Sequence, residues 1–473
     1  MLILKNGKTV RNEIIDLVIN GGIIEDIIIK QGLSGQRCPK EVDAVQDSQE
    51  IDSCGGFNTP TFCVVTKGIK ADCNHLMRTT YPDARVGVVD LEGRVGVVDL
   101  EGRLVMPGII DLHTHMRDPG LTHKEDFYTG SRACAKGGIT TFFDMPNTQP
   151  PTVTAQALTE KVAQAARVSA VNFGFHFGAS KNNNIDEIRR VIGSGQARST
   201  KVFMNVSTGL MLIEDTALLA EIFKAGGLVF VHAEAEMIDK AIELNARYGN
   251  GLYICHISSE EEMRTVIKAK QNPELHNRQH PIYAEVTPHH LFLHTGMREA
   301  SAEANMLLRM KPELKAQSDT AFLMQAIRDG YVDTIGTDHA PHTLDEKLTK
   351  LTFGIPGAET SLALMLTAAA EGTITLPLLQ KLMSENPAAI LGLTRKGVLA
   401  KGADADITVA DTAVHWQLGR KDIVSKCGWS PFEGWNFIGK NYMTIVNGKI
   451  VYRDGRFAAD LQERPAGRFV FQI

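Results

Sequence analysis

The segment Asp111-Leu112-His113-Thr114-His115-Met116-Arg117 sets two imidazoles and a guanidinium at alternate positions, directly after the apolar run Leu104-Val105-Met106-Pro107-Gly108-Ile109-Ile110. Alternate residues of a strand share a face, so His113, His115 and Arg117 point the same way. Two imidazoles on one face at a strand end form half of a divalent-metal site, and Arg117 beside them would meet an anion. A His-x-His pair alone is a weak signal, because a buried histidine is more often a packed residue than a ligand. The reading therefore rests on matching groups downstream. They occur in or at the ends of other apolar runs: Lys201 in Thr200-Lys201-Val202-Phe203-Met204, His232 in Val229-Phe230-Val231-His232, His256 in Tyr253-Ile254-Cys255-His256, and Asp338 in Gly336-Thr337-Asp338-His339. Together these groups favour a metal centre over isolated core histidines.

Lys201 has two readings. A lysine within an apolar strand is costly when charged and unpaired, so it either joins a buried ion pair or reacts with carbon dioxide to become a carbamate, an anionic bridging ligand. Charge counting favours the carbamate for a two-metal centre. Two divalent ions against a carbamate, Asp338 and a bridging hydroxide leave about one net positive charge, which would still attract an anionic substrate.

The elements that must position these groups are legible as alternation. Eight strand candidates, Ile109–His115, Ile139–Met145, Val171–Phe177, Thr200–Asn205, Leu228–Ala233, Leu252–Ile257, Ile282–Thr287 and Asp333–Asp338, are separated in part by amphipathic stretches such as Thr154–Ala166, Thr216–Ala225 and Glu260–Ala269. Eight βα units predict an α/β fold, a (β/α)8 TIM-type barrel over residues 104–390. An open doubly wound sheet is the rival, but no glycine-rich nucleotide loop supports it. Short strand-like segments at residues 1–30 and 391–473 predict a small composite β domain built from both chain ends. Residues 31–103 read as an atypical insertion ending in a tandem nonapeptide, Val86–Arg94 followed by Val95–Arg103. Two copies cannot form a solenoid; a duplication or a gene-model error is the simplest account, and no catalytic role is assigned to the region.

Composition narrows the class. The 473 residues, 43% apolar and 22% charged, suit a soluble globular protein large enough for a barrel and a smaller domain. A net charge of -5 gives no broad electrostatic case for nucleic acid. No apolar run is long enough to span a bilayer and the N-terminal residues lack signal-peptide character, so a cytoplasmic protein is expected. The seven cysteines, four of them at Cys38, Cys54, Cys63 and Cys73, make no CxxC pair and read as free thiols.

The motifs resemble the amidohydrolase superfamily, and within it the dihydroorotases. The resemblance covers the beginning of the chain and residues from about 104 to the end. It rests on Met106-Pro107-Gly108-Ile109-Ile110-Asp111-Leu112-His113-Thr114-His115-Met116-Arg117-Asp118-Pro119-Gly120, on Asp144-Met145-Pro146-Asn147-Thr148, on Thr337-Asp338-His339-Ala340-Pro341-His342-Thr343 and on Phe353-Gly354-Ile355-Pro356-Gly357-Ala358-Glu359-Thr360. It implies a binuclear zinc centre with His113, His115 and Asp338 on one ion, His232 and His256 on the other, and carboxylated Lys201 bridging two Zn²⁺ per chain. The implied reaction is reversible cyclisation of N-carbamoyl-L-aspartate to dihydroorotate in pyrimidine synthesis, through a metal-bridged hydroxide with Asp338 as general base and acid. It implies substrate contacts from His115, Arg117, Asn147 and His342, with Phe353 and Gly354 meeting the ring through backbone groups. It also implies a small-molecule substrate, a homodimer, and association with aspartate transcarbamoylase.

This chain departs from the family in two places. Lys311-Pro312-Glu313-Leu314 stands where relatives carry an Asn-Pro or Arg-Pro pair, so Lys311 is expected to replace that substrate contact; Asn305 is the alternative. The link from His232 to His256 is short, yet long enough for one helix and the next strand. Thr287-Pro288-His289-His290 reads as supporting structure, and Ser207-Thr208-Gly209 as either a turn or a substrate loop. The rival activities are a hydantoinase or allantoinase with the same centre, and a non-catalytic dihydroorotase-like subunit. The latter would lose metal ligands that this chain keeps.

Overall fold

Paired turns bring the two chain ends into one sheet. The computed structural model describes residues 1–31, 96–206 and 211–471; Ser207-Thr208-Gly209, the four N-terminal cysteines and the first copy of the repeat lie outside them. Strands β1 (Leu2–Lys8), β2 (Ile14–Asn20) and β3 (Ile23–Gln31) run antiparallel. The β2–β3 turn at Gly21-Gly22 and the C-terminal turn at Asn447-Gly448 adopt positive φ, as tight hairpins require. The turns abut: a Cβ on Gly22 would lie 2.9 Å from the Asn447 carbonyl oxygen.

The boundaries of this β domain differ from those expected. Strand β4 (Gly96–Asp99), from the second copy of the repeat, pairs parallel with β1, and Val98 and Leu100 enter the core of the sheet. Strand β5 (Leu104–Pro107), expected to open the barrel, instead pairs antiparallel with Ile407–Gln417. The expected insertion and the expected barrel therefore each cede a strand to the sheet, where Val98, Leu100 and Val105 find apolar cover.

The barrel strands follow in order: β6 (Ile109–Thr114), β7 (Ile139–Asp144), β8 (Asn172–Phe175) and β9 (Phe177–Gly178), β10 (Ser199–Phe203), β11 (Leu228–His232), β12 (Leu252–Ile254), β13 (Ile282–Val286) and β14 (Thr334–Ile335). All neighbouring pairs are parallel. His176 interrupts the third position between β8 and β9, and a parallel bridge from Thr114 to His339 joins the last position to the first. Each of the eight expected strands is present. Capped helices separate them; Thr154 caps Ala155–Ala166 and Asp215 caps Thr216–Lys224.

The barrel interior is filled by Ile110, Leu112, Phe143, Met145, Phe230, Tyr253 and Cys255. The C-terminal residues, expected in the β domain, return to the barrel. Phe173 exchanges backbone hydrogen bonds with Arg468 and Val470, while the Phe469 and Phe471 rings pack on Phe173 and Phe143. Two aromatic rings here gain more burial against the barrel floor than on the half-exposed sheet. The strands β15 (Ile407–Gln417), β16 (Asn436–Val446), β17 (Lys449–Arg453) and β18 (Arg456–Phe457) complete the β domain. Among the described residues no helix is long and apolar enough to cross a membrane.

Candidate metal centre and substrate pocket

The carboxyl ends of the strands gather the expected ligands. His113 and His115 project from the end of β6 toward Asp338, just past β14; Asp338 Oδ1 lies 3.3 Å from His113 Nε2 and 3.0 Å from His115 Nε2. His232 ends β11 and His256 follows β12, with His232 Nδ1 2.8 Å from His256 Nε2. The two sets adjoin, since the His113 and His256 ring centroids are 5.2 Å apart, and donor atoms of His113, His256 and Asp338 all lie within 4.8 Å of one another. The short link between His232 and His256 holds the helix Glu236–Tyr248 and lets β12 pair in register with β11.

Three observations fit these residues to a metal. All are buried. Burial depresses the His113, His115, His232 and His256 pKa values below the ordinary imidazole range, favouring neutral rings, the form that ligates a metal. His232 Nδ1 and His256 Nε2 converge to 2.8 Å, so both rings present a nitrogen to one point that an ion could occupy in place of their mutual contact.

Lys201 projects from β10 into the same space. Its Nζ is 2.9 Å from Cys255 Sγ and 5.2 Å from the Phe203 ring centroid. Among the described residues no carboxylate forms an ion pair with it, so the ion-pair reading from sequence has no partner here.

Three of the residues that bear on the chemistry hold backbone conformations that L-residues seldom adopt: Arg117 (φ 62°), His256 (φ 41°) and Asp338 (φ 44°). Such strain collects at sites where side-chain direction matters more than backbone comfort. The surroundings brace it. Buried Asp111 accepts hydrogen bonds from the His113 and Thr337 backbone amides at 3.1 and 3.0 Å, tying the first barrel position to the eighth. Asp144 accepts the Met116 amide at 2.6 Å and pairs at 2.6 Å with Lys161, which also donates to the Met145 carbonyl.

A cationic wall stands beside the ligands. Arg117 is buried and donates through Nε to the Pro341 carbonyl at 3.1 Å, with Nη2 3.3 Å from His342 Nε2. Burial lowers its pKa only to about 10, so it stays charged at neutral pH. His342 Nε2 meets the Phe353 carbonyl at 2.9 Å and its Nδ1 meets Lys124 Nζ at 3.1 Å. That arrangement requires a neutral ring with the proton on Nε2, in keeping with a pKa pushed down to about 2 by burial and the neighbouring Arg117 and Lys124 charges. Asn147 Oδ1 lies 2.8 Å from His115 Nδ1 and fixes that imidazole. Gly354 (φ 124°) permits close backbone passage, because a Cβ there would lie 2.5 Å from the Ala340 carbonyl oxygen. Lys311 Nζ lies 5.5 Å from the Phe353 ring centroid and pairs with Glu313 Oε1 at 3.3 Å, whereas Asn305 sits on the helix Ala302–Leu307 and accepts from Arg298. His290 bonds Thr287 and the Pro312 carbonyl, the supporting part expected of it.

Sequence reasoning did not single out Glu285, Asp144, Lys161, Cys255 or Lys124. Glu285 carried a usable signal, a carboxylate inside the apolar run Ile282–Thr287, by the logic that picked out Lys201.

The pattern of the amidohydrolase family matches residues 104–451, and the chain belongs to that family. Its relatives include the dihydroorotase of Methanosphaera stadtmanae, 31% identical with 96% of each chain covered. They also include the dihydroorotase of Methanosarcina acetivorans, 34% identical over 78% of this chain and 84% of the relative, and that of Pyrococcus abyssi, 33% identical over 77% and 87%. Among solved structures, L-hydantoinase (dihydropyrimidinase) from Arthrobacter aurescens aligns with a TM-score of 0.78 at 24% identity, covering 100% of this chain and 99% of its own. D-hydantoinase from Bacillus sp. AR9 gives 0.76 at 22%, covering 99% and 98%. At these identities the structures show the shared barrel fold.

Proposed function

We infer that the protein is a dihydroorotase, as its relatives' names indicate, that it reversibly cyclises N-carbamoyl-L-aspartate to dihydroorotate, and that it serves pyrimidine synthesis in the cytoplasm. The observation that carries the reading is the placement of Asp338 within 3.3 Å of both His113 and His115, on a segment whose continuation supplies His342 opposite Arg117. His113, His115 and Asp338 would hold one zinc ion and His232 and His256 a second, with carboxylated Lys201 between them. Zinc there would supply Lewis acidity toward the ring carbonyl and a nucleophilic water near neutral pH.

The protein groups supply orientation and proton transfer. The carboxylate of the substrate faces the Arg117 guanidinium, which suits it in charge and planar geometry. Neutral His342 and the amide of Asn147 hold the ring, the backbone at Phe353 and Gly354 lines its edge, and Lys311 adds charge at the rim. In the hydrolytic direction the oxygen of water bonds to the ring carbonyl carbon and the carbon–nitrogen bond breaks. Asp338 takes the proton of the attacking water and returns it to the departing nitrogen; cyclisation reverses each transfer. The working unit is proposed to be a homodimer that associates with aspartate transcarbamoylase.

Turnover of dihydroorotate, hydantoin and allantoin, measured with zinc content on the same preparation, tests the assignment. Dihydroorotate is the expected substrate with two zinc ions per chain; hydrolysis of hydantoin or allantoin without dihydroorotate turnover would overturn it.

A further inference from the structure

Glu285, on β13, is fully buried, and both of its carboxylate oxygens are used. Oε1 accepts from His113 Nδ1 at 2.7 Å and from the His256 backbone amide at 2.9 Å. Oε2 accepts from the Tyr253 hydroxyl at 2.7 Å, whose oxygen meets Thr334 Oγ1. The space for this carboxylate is built into the next barrel position: a Cβ on Gly336 would lie 2.2 Å from Glu285 Oε2.

One oxygen thus touches both halves of the centre. Accepting the proton on His113 Nδ1 fixes the tautomer that turns the Nε2 lone pair toward Asp338, the arrangement in which a histidine can ligate. Accepting the His256 amide helps hold that residue at its unusual φ of 41°, and so sets where its imidazole starts. We propose that Glu285 is a positioning residue that couples the two metal half-sites, so that its loss weakens both ions together and not the His113–His115 ion alone. The proposal rests on the binuclear reading given above.

The test is zinc titration of the full-length protein, stripped with chelator, as wild type, Glu285→Ala, Glu285→Gln and Gly336→Ala, with thermal melting of each metal-free form. A carboxamide oxygen can still accept from His113 and His256 while its NH2 faces the Tyr253 oxygen, so Glu285→Gln should retain affinity within about 10-fold. Removal of an outer partner of a metal-bound histidine weakens binding by about 10- to 100-fold; Glu285→Ala is expected to do so for both ions. Gly336→Ala should act in the same direction by displacing the carboxylate while leaving every ligand in place, and it carries the test if Glu285→Ala does not fold. A wild type that binds two zinc ions, with a folded Glu285→Ala or Gly336→Ala variant that keeps wild-type affinity at either site, overturns the coupling. A wild type that binds fewer than two overturns the binuclear reading beneath it.

Discussion

Asp338 Oδ1 stands 3.0 Å from His115 Nε2, so the residue proposed to move the proton and a residue proposed to ligate face the same point. Asp338→Asn keeps the volume and removes both the anionic ligand and the base. General acid–base catalysis alone contributes about 10²–10⁴-fold, so kcat for dihydroorotate should fall by at least about 10³-fold. Steady-state assays paired with zinc analysis check this; a variant holding a tenth of wild-type activity would refute the assignment of Asp338.

Lys201 tests the bridging carbamate. Among the described residues its ammonium would be buried without a carboxylate partner, an arrangement the protein has reason to avoid. Native mass spectrometry of the wild type should show the added mass of one carbon dioxide, absent from Lys201→Ala, and that variant should lose zinc and activity together. Full metal loading and activity in Lys201→Ala would rule the carbamate out.

The barrel was legible because strands buried on both faces read as continuous apolar runs, and its ligands because polar residues interrupt those runs. The boundary at Leu104 was not. Leu104–Pro107 runs on through Gly108 into Ile109 and Ile110 as one apolar stretch, but the chain changes sheet at Gly108, where a Cβ would lie 2.0 Å from Thr140 Oγ1. The partner of Leu104–Pro107 is Ile407–Gln417, a pairing between distant segments that no local period reports. Lys161 was hidden for a similar reason. On an amphipathic helix a lysine reads as solvated, and only its contact with Asp144 shows that it faces inward.

Arg117 and His342 should govern affinity for the carboxylate. Arg117→Ala is expected to lower kcat/KM for dihydroorotate by about 10²-fold, in line with about 1.5–3 kcal/mol for a hydrogen bond to a charged group. The same substitution should have little effect on dihydrouracil, which has the ring without the carboxylate. With a pKa near 2, His342 stays neutral across the assay range, so His342→Gln should raise KM without shifting any inflection between about pH 5 and 8. Equal losses on both ring substrates would show that Arg117 does not read the carboxylate.

His176 makes a prediction about stability apart from the metal centre. It divides β8 from β9, with its ring 4.2 Å from that of Phe230. Its Nε2 donates to the Leu112 carbonyl at 2.8 Å and its Nδ1 meets Ser199 Oγ at 2.7 Å. Burial pushes its pKa down from 6.5 to about 3. Between those values the unfolded chain binds the proton and the folded protein does not, so stability falls as pH drops through this window. The slope is about 1.4 kcal/mol per pH unit for one group, giving about 2 kcal/mol at pH 5 relative to neutrality. Urea denaturation of chelator-treated protein at pH 7 and pH 5 should show His176→Asn losing less stability than wild type by that amount. Parallel losses in the two proteins would mean that His176 is charged in the folded barrel or that its burial is relieved by solvent.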